Sequence, residues 1–162
     1  MKNLVISVPR LEIHRPPIST AIVSSVIKLH GHDVRALDLN CEFFHYLSNS
    51  QSYYNFDEVW DGTRKFKFSE FRNVVNFINT IALPKIKNYD RLWISVFGRS
   101  GTKFTQLLCK LIRRKYKDKI IILGGQGVKT EEIGSLQGFG NQMKKQNLCD
   151  MYIVGEGEHA VI

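Results

Sequence analysis

The stretch KIIILGGQGV, from Lys119 to Val128, decides how this chain folds. Its four consecutive apolar residues, Ile120 to Leu123, are typical of a short strand that is buried on both faces of a sheet. Two glycines follow at once, and Gly127 comes shortly after them. Glycine lacks a Cβ atom and adopts positive φ readily, so this strand ends in bare main chain. An ordinary turn needs fewer glycines, which raises the question of what requires them here.

Outward from this stretch, apolar strands alternate with amphipathic helices along the chain. Five strands are predicted: Leu4–Val8, Val34–Leu39, residues 91–97, residues 119–123 and residues 148–154. Such alternation is typical of βαβ units around a parallel sheet, and right-handed crossovers make the sheet doubly wound. We therefore predict one α/β domain over residues 1–162, Rossmann-like and more specifically flavodoxin-like, with strand order 2-1-3-4-5.

Helices are predicted at about residues 20–30, over residues 69–84 and over residues 102–117, where apolar side chains recur at helical spacing. The segment between the second and third strands, about residues 41–88, is long for a plain version of this fold. Ten of the eighteen aromatic residues fall between Phe43 and Phe71. We expect a helical insertion here that begins with a short helix near residues 41–48 and continues as an irregular stretch.

Composition narrows the class of protein. The 162 residues are enough for one domain with a sizeable core. The net charge of +8 weakly favours a nucleic acid or another anionic partner. We predict no signal peptide and no membrane span. Cys41, Cys109 and Cys149 lie far apart and form no zinc or iron–sulfur spacing, so reduced thiols and a cytoplasmic location are expected.

In a parallel sheet the loops after all strands gather at one end, where ligands of open α/β folds bind. Three of these loops, GRSGT, GGQGV and GEGE, contain clustered glycines, which favours a ligand that lies against main chain. Residues 155–160 match the dinucleotide pattern GxGxxA. They follow the last strand, however, and place Glu156 and Glu158 where a pyrophosphate would be repelled, so we reject a dinucleotide site. No phosphate-binding P-loop pattern occurs.

Several segments in fixed order resemble a known family. They are RPPIS before the first helix, GHDVRALDLN after it, ISVF on the third strand, IIILGGQGV on the fourth, and DMYIVGEGE on the fifth. Together they resemble the N-terminal cobalamin (vitamin B12)-binding domain of cobalamin-dependent radical S-adenosylmethionine (radical SAM) enzymes. The resemblance covers nearly the whole chain. In that family the closing GEGE segment marks the end of the cofactor domain.

The resemblance implies which residues bind the cofactor. In that family the nucleotide tail of cobalamin inserts among the strand ends and the corrin ring sits over them. The implied cofactor-binding residues in this sequence are Ser95, Val96, Phe97, Gly124, Gly125, Gln126, Gly127, Gly155, Glu156 and Gly157. We expect that a bulky residue in place of Gly125 abolishes cofactor retention and leaves the thermal midpoint little changed. No catalytic residue is predicted in this chain.

Two departures from the family pattern bear on function. Methionine-synthase-type domains carry DxHxxG, whose histidine binds cobalt, whereas this chain has Glu12, His14 and Pro17 in a different arrangement. We keep His14 as a candidate cobalt ligand. The CxxxCxxC triplet that would hold a [4Fe–4S] cluster is absent, so radical cleavage of S-adenosylmethionine is expected of a barrel domain in cis or trans. The end of the sequence suggests a truncated protein or a split gene.

Two alternatives stay open. The same fold could hold another nucleotide or no ligand, and in that case hydroxocobalamin would not be retained. The chain could instead bind nucleic acid through the basic face of the helix at residues 103–117, and then its affinity for oligonucleotides would fall steeply with salt.

Overall fold

The structure is a computed structural model that describes residues 1–9, 13, 17–47, 50–129, 138–155 and 157. Five parallel strands form one sheet in the order β2-β1-β3-β4-β5, which confirms the predicted flavodoxin-like α/β fold. The strands are β1 (Asn3–Ser7), β2 (Val34–Asp38), β3 (Arg91–Ser95), β4 (Ile120–Gly124) and β5 (Met151–Tyr152). The edge strand β5 is shorter than the predicted segment at residues 148–154.

Helices connect these strands, as the alternating pattern predicts. The α-helices are α1 (Ile18–Leu29), α2 (Leu39–Tyr46), α3 (Ser50–Tyr54), α4 (Asp57–Asp61), α5 (Phe68–Phe77), α6 (Leu83–Ile86), α7 (Thr102–Lys115) and α8 (Phe139–Lys145). A π-helical turn, Ile78–Ala82, joins α5 to α6, and short 3-10 turns follow β3 and β4 at Arg99–Gly101 and Gln126–Lys129. None of the helices in the described residues is long and apolar enough to cross a membrane.

The insertion between β2 and β3 is helical over more of its length than the sequence predicts. Helix α2 fulfils the expectation of a short helix, but the expectation of an irregular stretch is wrong at α3 and α4. Phe56 and Trp60 are one helical turn apart, and their rings stack with centroids 5.6 Å from each other. Both side chains are buried. The burial of this aromatic surface stabilises the helical conformation of the segment, although the polar residues around it favour an irregular one.

The two faces of the sheet are covered unequally. Side chains of Leu4, Ile6, Ile94 and Leu123 belong to a large core that also contains buried residues of the insertion, α7 and α8. The opposite face carries a small cluster of Val5, Trp93 and Ile122, joined by Ile27 and Val23. Both of these last residues lie on α1, which is therefore the helix that covers this second face within the described part of the chain.

Candidate functional site

A cavity of about 190 Å³ lies between α1 and the second face of the sheet, toward the carboxyl ends of the strands. It is the place at which an open α/β sheet is expected to hold a ligand. Its lining consists of apolar side chains, two serines and glycines: Val5, Ser19, Ile22, Val23, Trp93, Ile94, Ser95, Ile122, Gly124, Gly125, Ile153, Gly155 and Gly157.

Three neighbouring strands form the apolar floor of this cavity. Val5 of β1 is paired with Trp93 of β3, and Trp93 is paired with Ile122 of β4. The Trp93 indole N–H donates a hydrogen bond to the Asn3 side-chain oxygen at 3.1 Å, and the residue is 8% exposed. Trp93 therefore presents a fixed aromatic surface whose own polar atom is already satisfied.

Nearer the carboxyl end, the next pair of residues on the same face is Ser95 and Gly124. The Ser95 hydroxyl lies 2.9 Å from the hydroxyl of Ser19, which is in the first turn of α1. These two side chains supply the polar part of a lining in which none of the described residues is charged. The cavity therefore suits an uncharged and largely apolar group with a polar edge.

Gly124 and Gly155 both leave open space where a side chain would project, although Gly155 also has a positive φ of 108° that favours glycine. A Cβ atom built on Gly124 or on Gly155 would meet no other atom within 4 Å, and both residues line the cavity. A side chain at Gly124 would point to the same side of the sheet as its partner Ser95 and would occupy the space. Bare main chain at the end of β4 is therefore a condition for the cavity to exist.

Gly125 and Gly127 are required for a different reason, which is the close packing of the turn after β4. Gly125 has φ of 92°, and a Cβ atom there would lie 2.6 Å from the Val96 carbonyl oxygen. A Cβ atom on Gly127 would lie 2.6 Å from the Val96 side chain, and the Gly127 N–H donates to the Val96 carbonyl at 2.8 Å. The expectation that a bulky residue at 125 leaves the thermal midpoint little changed conflicts with this packing, because the turn itself requires glycine.

Of the remaining predicted site residues that the structure describes, only Gly157 lies at the cavity. Val96 is fully buried and packs against the turn after β4, whereas Phe97 is 59% exposed and Gln126 is also exposed, and none of the three lines the cavity. Gly157 does line it, with a hypothetical Cβ atom 3.9 Å from Val23. His14 and Glu156 lie outside the described residues.

Sequence reasoning missed the floor and the α1 wall of the cavity. Trp93 and Ile122 each lie two positions before a predicted site residue, Ser95 and Gly124, and alternate residues of a strand point to the same face. That rule could have identified both. Ser19 is the last residue of the RPPIS segment that carries the family resemblance, but its contact with Ser95 depends on how α1 lies against the sheet.

Away from this cavity, Asp150, Arg113 and two buried cysteines have structural roles. The Asp150 carboxylate accepts hydrogen bonds from the Ile121 N–H at 2.7 Å and from the Arg113 guanidinium at 2.5 Å. Burial alone would raise the pKa of Asp150, but these bonds outweigh it and lower the pKa. Burial raises the pKa of the Cys149 thiol to about 11 and also raises the pKa of Cys109. Neither thiol is therefore a reactive thiolate at neutral pH.

The basic side of α7 borders a second, polar groove of about 420 Å³. Arg113, Lys117 and Lys144 line it, together with Asn147, Cys149 and Asp150. Arg113 also donates to the Lys119 carbonyl at 2.6 Å, and Lys144 donates to the Asp150 carbonyl. Arg113 and Lys144, two of the three cations that line this groove, thus hold main chain in place.

Comparison with known proteins gives no assignment. No protein-family model matches the chain, and no curated protein does. A chain of the crystal structure of histidine kinase ThkA in complex with the response regulator protein TrrA is similar over 96% of this chain and 86% of its own, with 16% sequence identity and a TM-score of 0.39. Nothing about the function of this chain follows from so distant a likeness.

Proposed function

We propose that this chain is a cobalamin-binding module of a radical SAM enzyme and that the cavity between α1 and the sheet takes the dimethylbenzimidazole base of the cofactor's nucleotide tail. The observation that carries the proposal is the cavity that Gly124 opens beside Ser95, whose described lining residues carry no charge. Ser95 and Gly124 were singled out on the sequence, and their pairing in register on one face of the sheet supports a shared site.

The size of the cavity fits the tail rather than the whole cofactor. A dry cavity of about 150 Å³ is enough to bind benzene. The volume of about 190 Å³ found here suits a bicyclic aromatic base such as the dimethylbenzimidazole of cobalamin. The corrin ring is much larger than this space and would lie outside, over the ends of the strands.

The chemistry of the lining also fits such a base. Dimethylbenzimidazole is an uncharged ring at neutral pH, and the described lining residues carry no charge. Trp93 offers it an aromatic surface, and the serine hydroxyls offer hydrogen bonds. Ile22, Val23 and Ile153 enclose the rest, so water would be displaced from apolar surface when the base enters.

In this proposal the chain binds and orients the cofactor and performs no bond cleavage by itself. Bound cobalamin would supply methyl transfer or support for a rearrangement. The reductive cleavage of S-adenosylmethionine belongs to a radical SAM barrel with its [4Fe–4S] cluster, in cis or in trans. His14 remains the candidate for a protein ligand to cobalt.

The uncharged lining also bears on the alternative of another nucleotide. A phosphate group would find no cation among the described residues of the cavity, so any nucleotide, the tail of cobalamin included, could place only its base there. A module without any ligand would leave apolar surface of the sheet, Trp93 included, unused beside an open space. Both alternatives predict that cobalamin is not retained.

Gel filtration with hydroxocobalamin tests the proposal. The protein is incubated with an excess of hydroxocobalamin and separated from the free cofactor, and the visible spectrum of the protein peak is recorded. We expect a coloured protein that carries close to one cobalamin per chain, with shifted corrin bands. A colourless protein peak after loading at tens of micromolar would overturn the proposal and favour the module of another kind.

A further inference from the structure

The contact between Ser19 and Ser95 joins the start of α1 to the end of β3 at the polar edge of the cavity. Their hydroxyl oxygens are 2.9 Å apart, and both residues line the cavity. We propose that Ser19 is a positioning residue, which orients the Ser95 hydroxyl so that its proton points to an acceptor atom of the ligand. This inference rests on the proposed function and adds the role of Ser19 to it.

The requirement follows from counting protons. Each serine hydroxyl has one proton to donate and accepts up to two hydrogen bonds. One proton is used between Ser19 and Ser95, so the pair keeps one proton for a ligand. Ser19 is exposed to water, whereas Ser95 is half-buried and lies two residues after Trp93 of the cavity floor, on the same face of the sheet. Either hydroxyl can donate in this contact, and the proposal requires that Ser19 donates to Ser95 when a ligand is bound, which leaves the Ser95 proton for the ligand.

This arrangement selects a chemical class of ligand. The best partner is an uncharged planar heterocycle with an unprotonated ring nitrogen at its edge, because that nitrogen accepts the Ser95 proton. A protonated ring would face the hydroxyl with a proton of its own and would bring a charge into a lining without a counter-charge among the described residues. A hydrocarbon ring of the same shape would leave the Ser95 proton unpaired on binding.

Two fragments of matched shape separate these cases. Trimethylbenzimidazole carries the acceptor nitrogen, and the corresponding trimethylindole has a C–H group in its place. Each is titrated into the full chain and followed by nitrogen–proton correlation NMR of the tryptophan side chains. Trp93 lies on the cavity floor and Trp60 is buried in the large core on the other face, so the Trp60 signal is an internal control.

We expect both fragments to shift the Trp93 signal, with the benzimidazole binding about 5–10-fold more tightly than the indole. Ser95→Ala should abolish this preference. Ser19→Ala should reduce it, Ser19→Thr should keep it, and the double variant Ser19→Ala/Ser95→Ala should bind like Ser95→Ala alone. Non-additivity of this kind is the mark of a residue that acts through another.

The outcomes separate this inference from the proposed function. Equal affinities for the two fragments, or a preference that survives Ser19→Ala unchanged, would overturn the role of Ser19 and leave the cobalamin proposal standing. Absence of any shift of the Trp93 signal with either fragment would show that the cavity takes no aromatic base, and both proposals would then fall. Retention of cobalamin, together with a preference for the benzimidazole that Ser19→Ala reduces, would support both proposals.

Discussion

At Gly124 a Cβ atom would point into open space, whereas at Gly125 it would collide with the Val96 carbonyl oxygen at 2.6 Å. Two adjacent glycines that look equivalent in the sequence thus have different physical causes. Gly125 is required by a positive φ of 92° and a close main-chain approach. Gly124 has no such constraint, and what its missing side chain provides is the free volume of the cavity.

Matched valine substitutions test this distinction. Gly124→Val should leave the thermal midpoint within a few degrees of the original, because a β-branched side chain suits a strand and its Cβ atom would meet no other atom within 4 Å. It should also abolish cobalamin retention by filling the cavity. Gly125→Val should destabilise the fold by at least about 2 kcal/mol through strain and overlap. Thermal unfolding measures the stability of both variants, and gel filtration with hydroxocobalamin measures their cofactor retention. A strongly destabilised Gly124→Val variant would contradict this account.

At the scale of elements, Asp150 and Arg113 connect α7 to the last two strands. Arg113 donates to the Asp150 carboxylate and to the Lys119 carbonyl, and Asp150 accepts from the main chain of β4 at Ile121. The main-chain N–H of Asp150 in turn donates to the Ile121 carbonyl at 2.9 Å. This cluster fixes the edge strand β5, which has only two residues of its own in the sheet.

The lowered pKa of Asp150 makes its contribution to stability depend on pH. A carboxyl whose pKa is depressed by folding stabilises the protein above its unfolded pKa of about 3.9, and this stabilisation is lost as the pH falls through the folded pKa. Asp150→Asn keeps the shape and one acceptor but removes the charge. Urea unfolding should show the variant to be less stable at neutral pH, with a difference that shrinks in acid. A difference that is constant with pH would exclude the carboxylate charge as its cause.

The elements themselves were largely predictable from the sequence. The runs around Ile6, Trp93 and Ile122 predict the central strands correctly because burial on both faces demands continuous apolar residues. The short helices α3 and α4 were missed because tertiary burial of Phe56 and Trp60, rather than local periodicity, stabilises them. Ser19 lies in the RPPIS segment of the family resemblance, but its contact with Ser95 could not be predicted, since the two hydroxyls meet only after α1 has packed on the sheet.

At the scale of the whole molecule, the uneven covering of the sheet is what connects fold to function. The insertion, α7 and α8 share one large core, while α1 shields the other face within the described residues. None of the described residues that line the space beside α1 is charged, although the chain has a net charge of +8. The cofactor proposal therefore depends on local shape and lining, and the overall positive charge plays no part in it.

The most direct test of the central claim compares cobalamin with cobinamide, which has the corrin ring but lacks the nucleotide base. Affinities are measured by titration of the full chain and followed by visible absorption. Burial of the base predicts that cobalamin binds about 10–100-fold more tightly than cobinamide, and that Gly124→Val removes this difference. Equal affinities of the unmodified chain for the two corrinoids would contradict the claim that the tail occupies the cavity between α1 and the sheet.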